Sequence, residues 1–113
     1  MASVDEIWLT DFGDPYPSEP ASRRPAVVLG PPDFFGSDFP IVIVAPLTTS
    51  RRGLDLHVEV PANRRTGLRE TSYVQCELLR SVNAARLSHR LGIIDMETSW
   101  HVREIVRTLL NHP

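Results

Sequence analysis

The side chains able to act on a substrate are few, and their spacing excludes several chemistries. There is no phosphate-cradling GxxxxGK[ST] loop, no HExxH pair, no GxSxG elbow and no CxxC pair in the chain. His57, His89, His101 and His112 are scattered, so a ribonuclease using two histidines would need the fold to bring distant segments together. Cys76 is the single cysteine and has no Cys or His neighbour at zinc-ligand spacing, so it is expected to be a small buried hydrophobe. Arginine is the abundant reactive type, because all twelve basic residues are arginine and lysine is absent. The pairs Arg23-Arg24, Arg51-Arg52 and Arg64-Arg65 fall in segments that read as loops. They attract phosphate if they gather on one face, and are ordinary solvated charges if they do not.

The elements that must position these groups are short. EIWLTDF (6–12), PAVVLG (25–30), IVIVAPLT (41–48), HVEV (57–60) and SHRLGII (88–94) read as strands, the second and third apolar enough to be buried on both faces and the fourth alternating like an edge strand. SYVQCELLRSV (72–82) is long enough for one bent strand, and NAARL after it for a short turn. The long proline-containing loop GDPYPSEPASRR (13–24) follows the first strand, and PPDFFGSDF and PANRRTGLRET separate later ones. The last element is helical: Asp95 is an N-cap candidate, Glu97 suits the positive helix start, and Met96, Val102, Ile105, Val106, Leu109 and Leu110 recur at helical spacing. With neither βαβ alternation nor an internal repeat, the pattern predicts a mainly β fold, a small barrel of six to seven strands with one end covered by the amphipathic helix. Tyr16, Phe34, Phe35 and Phe39 stand in loops, where aromatic rings stack on unpaired bases or plug the ends of a barrel; Phe39 is expected to be a plug.

A chain of 113 residues fits one domain spanning 1–113. Its longest apolar stretch, Ile41 to Leu47, is far short of the ~20 residues that span a bilayer, and no basic-then-apolar leader opens the chain, so a cytoplasmic protein is expected. The net charge of −2 argues against a general nucleic-acid coat, yet it is uneven. Residues 1–20 carry five acids and no base, whereas residues 21–94 carry ten arginines against six acids, so the middle of the chain is locally basic.

The order IWLTDFGDP, SEPASRRPAVVL, IVIVAPLT, HVEVP, CELLRSV, RLSHRLG and terminal helix resembles the MazF/PemK family of bacterial toxins over nearly the whole chain. Each piece alone is common; their ordered combination is specific. The resemblance implies an SH3-like barrel that forms a homodimer, needs neither metal nor cofactor, and cuts single-stranded RNA to 2′,3′-cyclic phosphate and 5′-hydroxyl ends. It also implies a cognate antitoxin with an acidic, partly disordered tail, and inhibition of translation and growth. The family's catalytic positions fall on Arg24, before Pro25, and on Thr48, at the end of IVIVAPLT; Ser18 and Glu19 match its Ser-Glu and Arg80 its later basic residue. Tyr16, Thr49, Ser50, Arg51 and Arg52 complete the expected substrate-binding set. Pro17-Ser18-Glu19 stands where many relatives have Gly-Ser-Glu, which stiffens the first loop. Glu77-Leu78-Leu79-Arg80 replaces a common Glu-Gln-Ile-Arg, so no RNA preference is carried over.

The chemistry of such a cut asks for these types. When a ribose 2′-hydroxyl attacks the adjacent phosphorus, charge grows on the phosphoryl oxygens and protons must move. A guanidinium meets the first demand with two parallel hydrogen bonds, and Pro25 restrains Arg24 toward extended backbone. Thr48 adds a hydroxyl donor from a strand end. An arginine with a pKa above ~12 is a poor general base, which makes Glu19 the candidate base and Arg24 the charge stabiliser. Two other classes compete: a CcdB-like poison of DNA gyrase on the same barrel, and a degenerate member that binds its antitoxin without cutting.

Overall fold

A computed structural model describes residues 2–14, 17, 22–33 and 38–112. The strands run β1 Glu6–Asp11, β2 Arg23–Gly30, β3 Ile41–Thr48, β4 His57–Val60, β5 Ser72–Gln75, β6 Arg80–Asn83 and β7 Leu87–Ile93, and helix α1 follows at Met96–Leu109. They pair antiparallel in the order β4-β5-β3-β2-β1-β7, with β6 also on β3. The SH3-like architecture is present, but among the described residues no pairing joins β6 to β7, so the ring of strands is not closed by hydrogen bonds.

The continuous β-branched run of β3 makes it the organising strand. One edge pairs with β2; the other pairs with β6 through Ile41–Val44 and with β5 through Leu47 and Thr48. Pro46 stands at the handover between β6 and β5, where its missing N–H interrupts least. The single bent strand expected over 72–82 is therefore two strands. A 3-10 turn at Cys76–Leu78 divides them, because each half addresses a different stretch of β3.

Successive residues of β2 and β3 face opposite sides and feed different apolar clusters. Val27, Ala45 and Leu47 join Ile7, Val58, Val60, Val74, Cys76, Ile94 and Val102, with Ile105 and Val106 of α1 packed against them. Ala26, Val28, Val42 and Val44 join Phe12 and Val82 on the other side, against Trp8 and Leu87. α1 starts on Asp95, whose Oδ1 accepts the Thr98 N–H at 2.8 Å. Its buried face is narrower than the sequence periodicity implies: Met96 is 85% exposed, and only Ser99 and Val102 are fully covered. Phe39 also departs from expectation. It is 47% exposed on the rim of an apolar recess of about 450 Å³ shared with Trp8, Ile41, Val42 and Leu87, rather than plugging an end. Phe34 and Phe35 lie outside the described residues. No helix among the described residues is long and apolar enough to cross a membrane.

Two local devices lock β1 and β7. The Glu6 carboxylate accepts from Ser3 N (2.8 Å), Trp8 Nε1 (3.1 Å) and Arg90 Nε (2.8 Å). Burial pushes its pKa up, but these hydrogen bonds and the Arg90 charge outweigh burial and hold it below the ordinary value of 4.5. Gly92 lets the loop after β4 sit directly on β7: a Cβ there would lie 2.3 Å from the Arg65 carbonyl oxygen, which accepts the Ile93 N–H at 2.9 Å.

Two outcomes follow from these locks. Gly92→Ala is expected to lose about 2 kcal/mol or more of unfolding free energy through forced separation of loop and strand, measured by urea denaturation. The lowered Glu6 pKa stabilises the fold above the unfolded value and is lost as pH falls through the folded one. Glu6→Gln should therefore lower stability at pH 7 and flatten its decline below pH about 4.5.

Candidate active site

Pairing across the sheet sets a single row of side chains on the face opposite α1. Thr10 of β1 is paired with Arg24 of β2, and Thr48 of β3 with Tyr73 of β5, which is in turn paired with Glu59 of β4. β2 and β3 are aligned Ala26 to Pro46 and Val28 to Val44. Two residues beyond the last of these pairs, β2 carries Arg24 and β3 carries Thr48, and strand alternation puts both on the face of Ala26 and Pro46. Arg24 and Thr48, distant in sequence, thus lie on one face just past the end of the β2–β3 ladder, where β2 goes on to pair with β1 and β3 with β5.

Each member of the pair is held from its own side. Arg24 is half-buried and precedes Pro25, itself opposite Leu9. The entry to β2 is closed by reciprocal backbone bonds, Phe12 N to Ser22 O at 2.9 Å and Ser22 N to Gly13 O at 2.8 Å, with Ser22 at φ +60°. Thr48 Oγ1 accepts the Ser50 N–H at 3.2 Å, which turns the oxygen while leaving its hydrogen available to donate. Thr49, Ser50, Arg51 and Arg52 follow as exposed residues beyond the strand end.

Arg80 joins the same face. It is opposite Val44, and its guanidinium lies 6.0 Å from the centroid of the buried Phe12 ring, which positions a cation beside the end of β1. Tyr16, Ser18 and Glu19 lie outside the described residues. Of the three arginine pairs expected in loops, Arg23-Arg24 lies instead in the first residues of β2, because pairing with β1 extends that strand back past Pro25, while Arg51-Arg52 is exposed in the segment after β3. The third is placed elsewhere, with the Arg65 carbonyl bound to β7.

One cation escaped the sequence reading. Arg86, in a 3-10 turn before β7, reaches across to donate Nη1 to the Asp11 carbonyl at 3.3 Å. The pairing of Leu87 with Thr10 brings it to the end of β1, and that pairing has no local signature in the sequence.

The histidines do not assemble. His57 Nε2 lies 2.8 Å from Glu77 Oε2, His89 is exposed on β7, His101 stacks at 6.5 Å on Trp100 of α1, and His112 is at the chain end. Among the described residues no three His, Cys, Asp or Glu side chains are grouped to hold a metal ion. Cys76 is fully buried, and burial, with the Glu77 charge, pushes its thiol up to about 12, so it packs as expected and offers no thiolate nucleophile.

Residues 4–110 match the family model described as PemK-like, MazF-like toxin of type II toxin-antitoxin system. The chain belongs to this toxin family. Endoribonuclease MazF6 of Mycobacterium tuberculosis is 30% identical over 113 residues, covering 98% of each chain. Among solved structures, MazF from Deinococcus radiodurans superposes with a TM-score of 0.84 at 22% identity, covering 97% of this chain and 96% of that one. An endoribonuclease from a mycobacterial species, solved in complex with its cognate antitoxin, gives 0.80 at 18% identity, covering 100% and 98%. These structural likenesses establish a MazF fold, and the family assignment makes the chain a toxin endoribonuclease.

In this MazF-like chain one polar feature is left incomplete beside the row. His57 and Gln75 are cross-strand partners, and His57 Nδ1 and Gln75 Oε1 are both buried without a hydrogen-bond partner among the described residues. Gln75→Leu deletes an orphaned acceptor, so it should change stability by less than about 0.5 kcal/mol or raise it, whereas His57→Leu, which gives up the hydrogen bond to the exposed Glu77, should cost about 1 kcal/mol. Denaturant midpoints of the two variants check that order.

Proposed function

We propose that this toxin acts as a single domain that cleaves single-stranded RNA at selected sites, with neither metal nor cofactor, through Arg24 and Thr48. What supports this reading is strand alternation, which puts the half-buried Arg24 and the strand-end Thr48 on one face just past the last β2–β3 pair. The fork of Arg24 donates two hydrogen bonds to the scissile phosphate, and the Thr48 hydroxyl donates a third. As the 2′-oxygen bonds to phosphorus, the 2′ proton passes to a base, the P–O5′ bond breaks, and the 5′-oxygen takes up a proton. The products are a 2′,3′-cyclic phosphate and a 5′-hydroxyl. Glu19 remains the proposed base, because a carboxylate accepts a proton near neutrality far more readily than a guanidinium.

Ser18, Tyr16, Thr49, Ser50, Arg51, Arg52 and Arg80 are the proposed contacts to the rest of the RNA. Phosphates would engage the arginines, which makes binding fall with salt. The protein is proposed to work in the cytoplasm as a homodimer, arresting translation and growth until a cognate antitoxin occupies the groove with an acidic flexible tail. A non-nuclease poison of gyrase would not need a guanidinium and a hydroxyl at one point on the sheet.

Incubation of the purified chain with a long single-stranded RNA in excess EDTA is expected to yield discrete cuts with cyclic phosphate ends. Arg24→Ala and Thr48→Ala should each lower kcat by at least about 100-fold. Absence of cleavage by the parent would overturn the nuclease reading, and full kcat in Glu19→Gln across pH would remove Glu19 as base.

A further inference from the structure

The row through Arg24 and Thr48 does not stop at the phosphate site. On one side it reaches Thr10, which is buried with its hydroxyl committed to the Trp8 carbonyl at 3.0 Å, and then the apolar Leu87. On the other side it continues through the half-buried Tyr73 to the exposed Glu59 on the edge strand β4. Among the described residues, neither Tyr73 nor Glu59 makes a side-chain hydrogen bond or ion pair with another residue. With strands about 4.8 Å apart, the three positions Thr48, Tyr73 and Glu59 cover about 10 Å. That sequence of groups is a phosphate donor, then an aromatic ring, then an acceptor.

An unpaired carboxylate this close to a phosphate site is electrostatically unfavourable for binding a polyanion. Its position is explained if it meets a base edge instead of the backbone. We propose that Tyr73 and Glu59 form a nucleobase subsite that reads the nucleotide beside the scissile phosphate, with Tyr73 stacking on the base and Glu59 accepting hydrogen bonds from its exocyclic amino group. This inference rests on the nuclease reading given above. A carboxylate has only acceptors, so it suits bases that present an amino donor. Guanine fits best, because its N1–H and N2–H lie side by side and match both carboxylate oxygens. Adenine and cytosine each supply one amino group. Uracil is excluded, since its single N–H is flanked by two carbonyls that face the carboxylate with like partial charge.

The test maps cleavage of an RNA pool randomised on both sides of one cut site. The parent is expected to show uracil depleted at least ten-fold at one position flanking the cut. Glu59→Gln, an exposed and nearly isosteric change whose amide N–H can pair with a uracil carbonyl, should abolish most of that depletion while discrete cutting continues. Tyr73→Ala should raise KM at least five-fold, with Tyr73→Phe close to the parent, since stacking needs the ring and not the hydroxyl. Thermal melts identify any variant that fails to fold. A parent that accepts uracil equally at both flanking positions, or an unchanged base profile in Glu59→Gln, would overturn the subsite. A parent that cuts no RNA would sink the nuclease reading itself, and the subsite with it.

Discussion

Antiparallel pairing on both edges of β3 is the constraint from which the rest of the molecule follows. A strand with partners on both edges cannot slip, because a shift of one residue would turn its entire core face to solvent. Here the cost would be double, since alternate residues of β2 and β3 supply two separate apolar clusters. The register that aligns Val28 with Val44 and Ala26 with Pro46 therefore also fixes which face Arg24 and Thr48 occupy, two residues further along each strand. Two polar groups that contribute little to stability are positioned by many that do.

This arrangement divides the sheet by function. The face toward α1 is closed by Val102, Ile105 and Val106 and holds the larger cluster. The opposite face is mixed: its middle is apolar, a recess forms around Trp8 and Leu87, and it also carries Arg24, Thr48 and Arg80, the last beside Phe12, with Arg86 bound at the end of β1. A rigid strand end is a good support for phosphate chemistry, because a donor displaced by a fraction of an ångström loses much of its effect on a developing charge. Loops are better suited to adaptable contacts.

Much of the fold was legible because its segments are locally consistent. The run at 41–48 and the alternation at 57–60 become strands with those limits, and Asp95 caps the helix as its position implies. What could not be read was decided by distant partners. The chain over 72–82 keeps a strand-like pattern through Cys76–Leu78, and only the two stretches of β3 that it must meet explain the turn. Met96 obeys helical spacing yet has nothing opposite it, and Phe39 rims a recess whose other walls come from β1, β3 and β7. At the site, family likeness pointed to Arg24 and Thr48 without showing that they share a face of the sheet. Arg86, Tyr73 and Glu59 had no motif to mark them; register alone reveals where they stand.

The central claim is that Arg24 and Thr48 act on one phosphate, and a double-mutant cycle on the single-turnover cleavage rate tests it most directly. Groups that share a transition state are not independent, so the Arg24→Ala/Thr48→Ala double variant should lose markedly less than the product of the two single losses. Losses that multiply in full would mean that the two side chains work separately, and the register that brings them together would then have no part in catalysis.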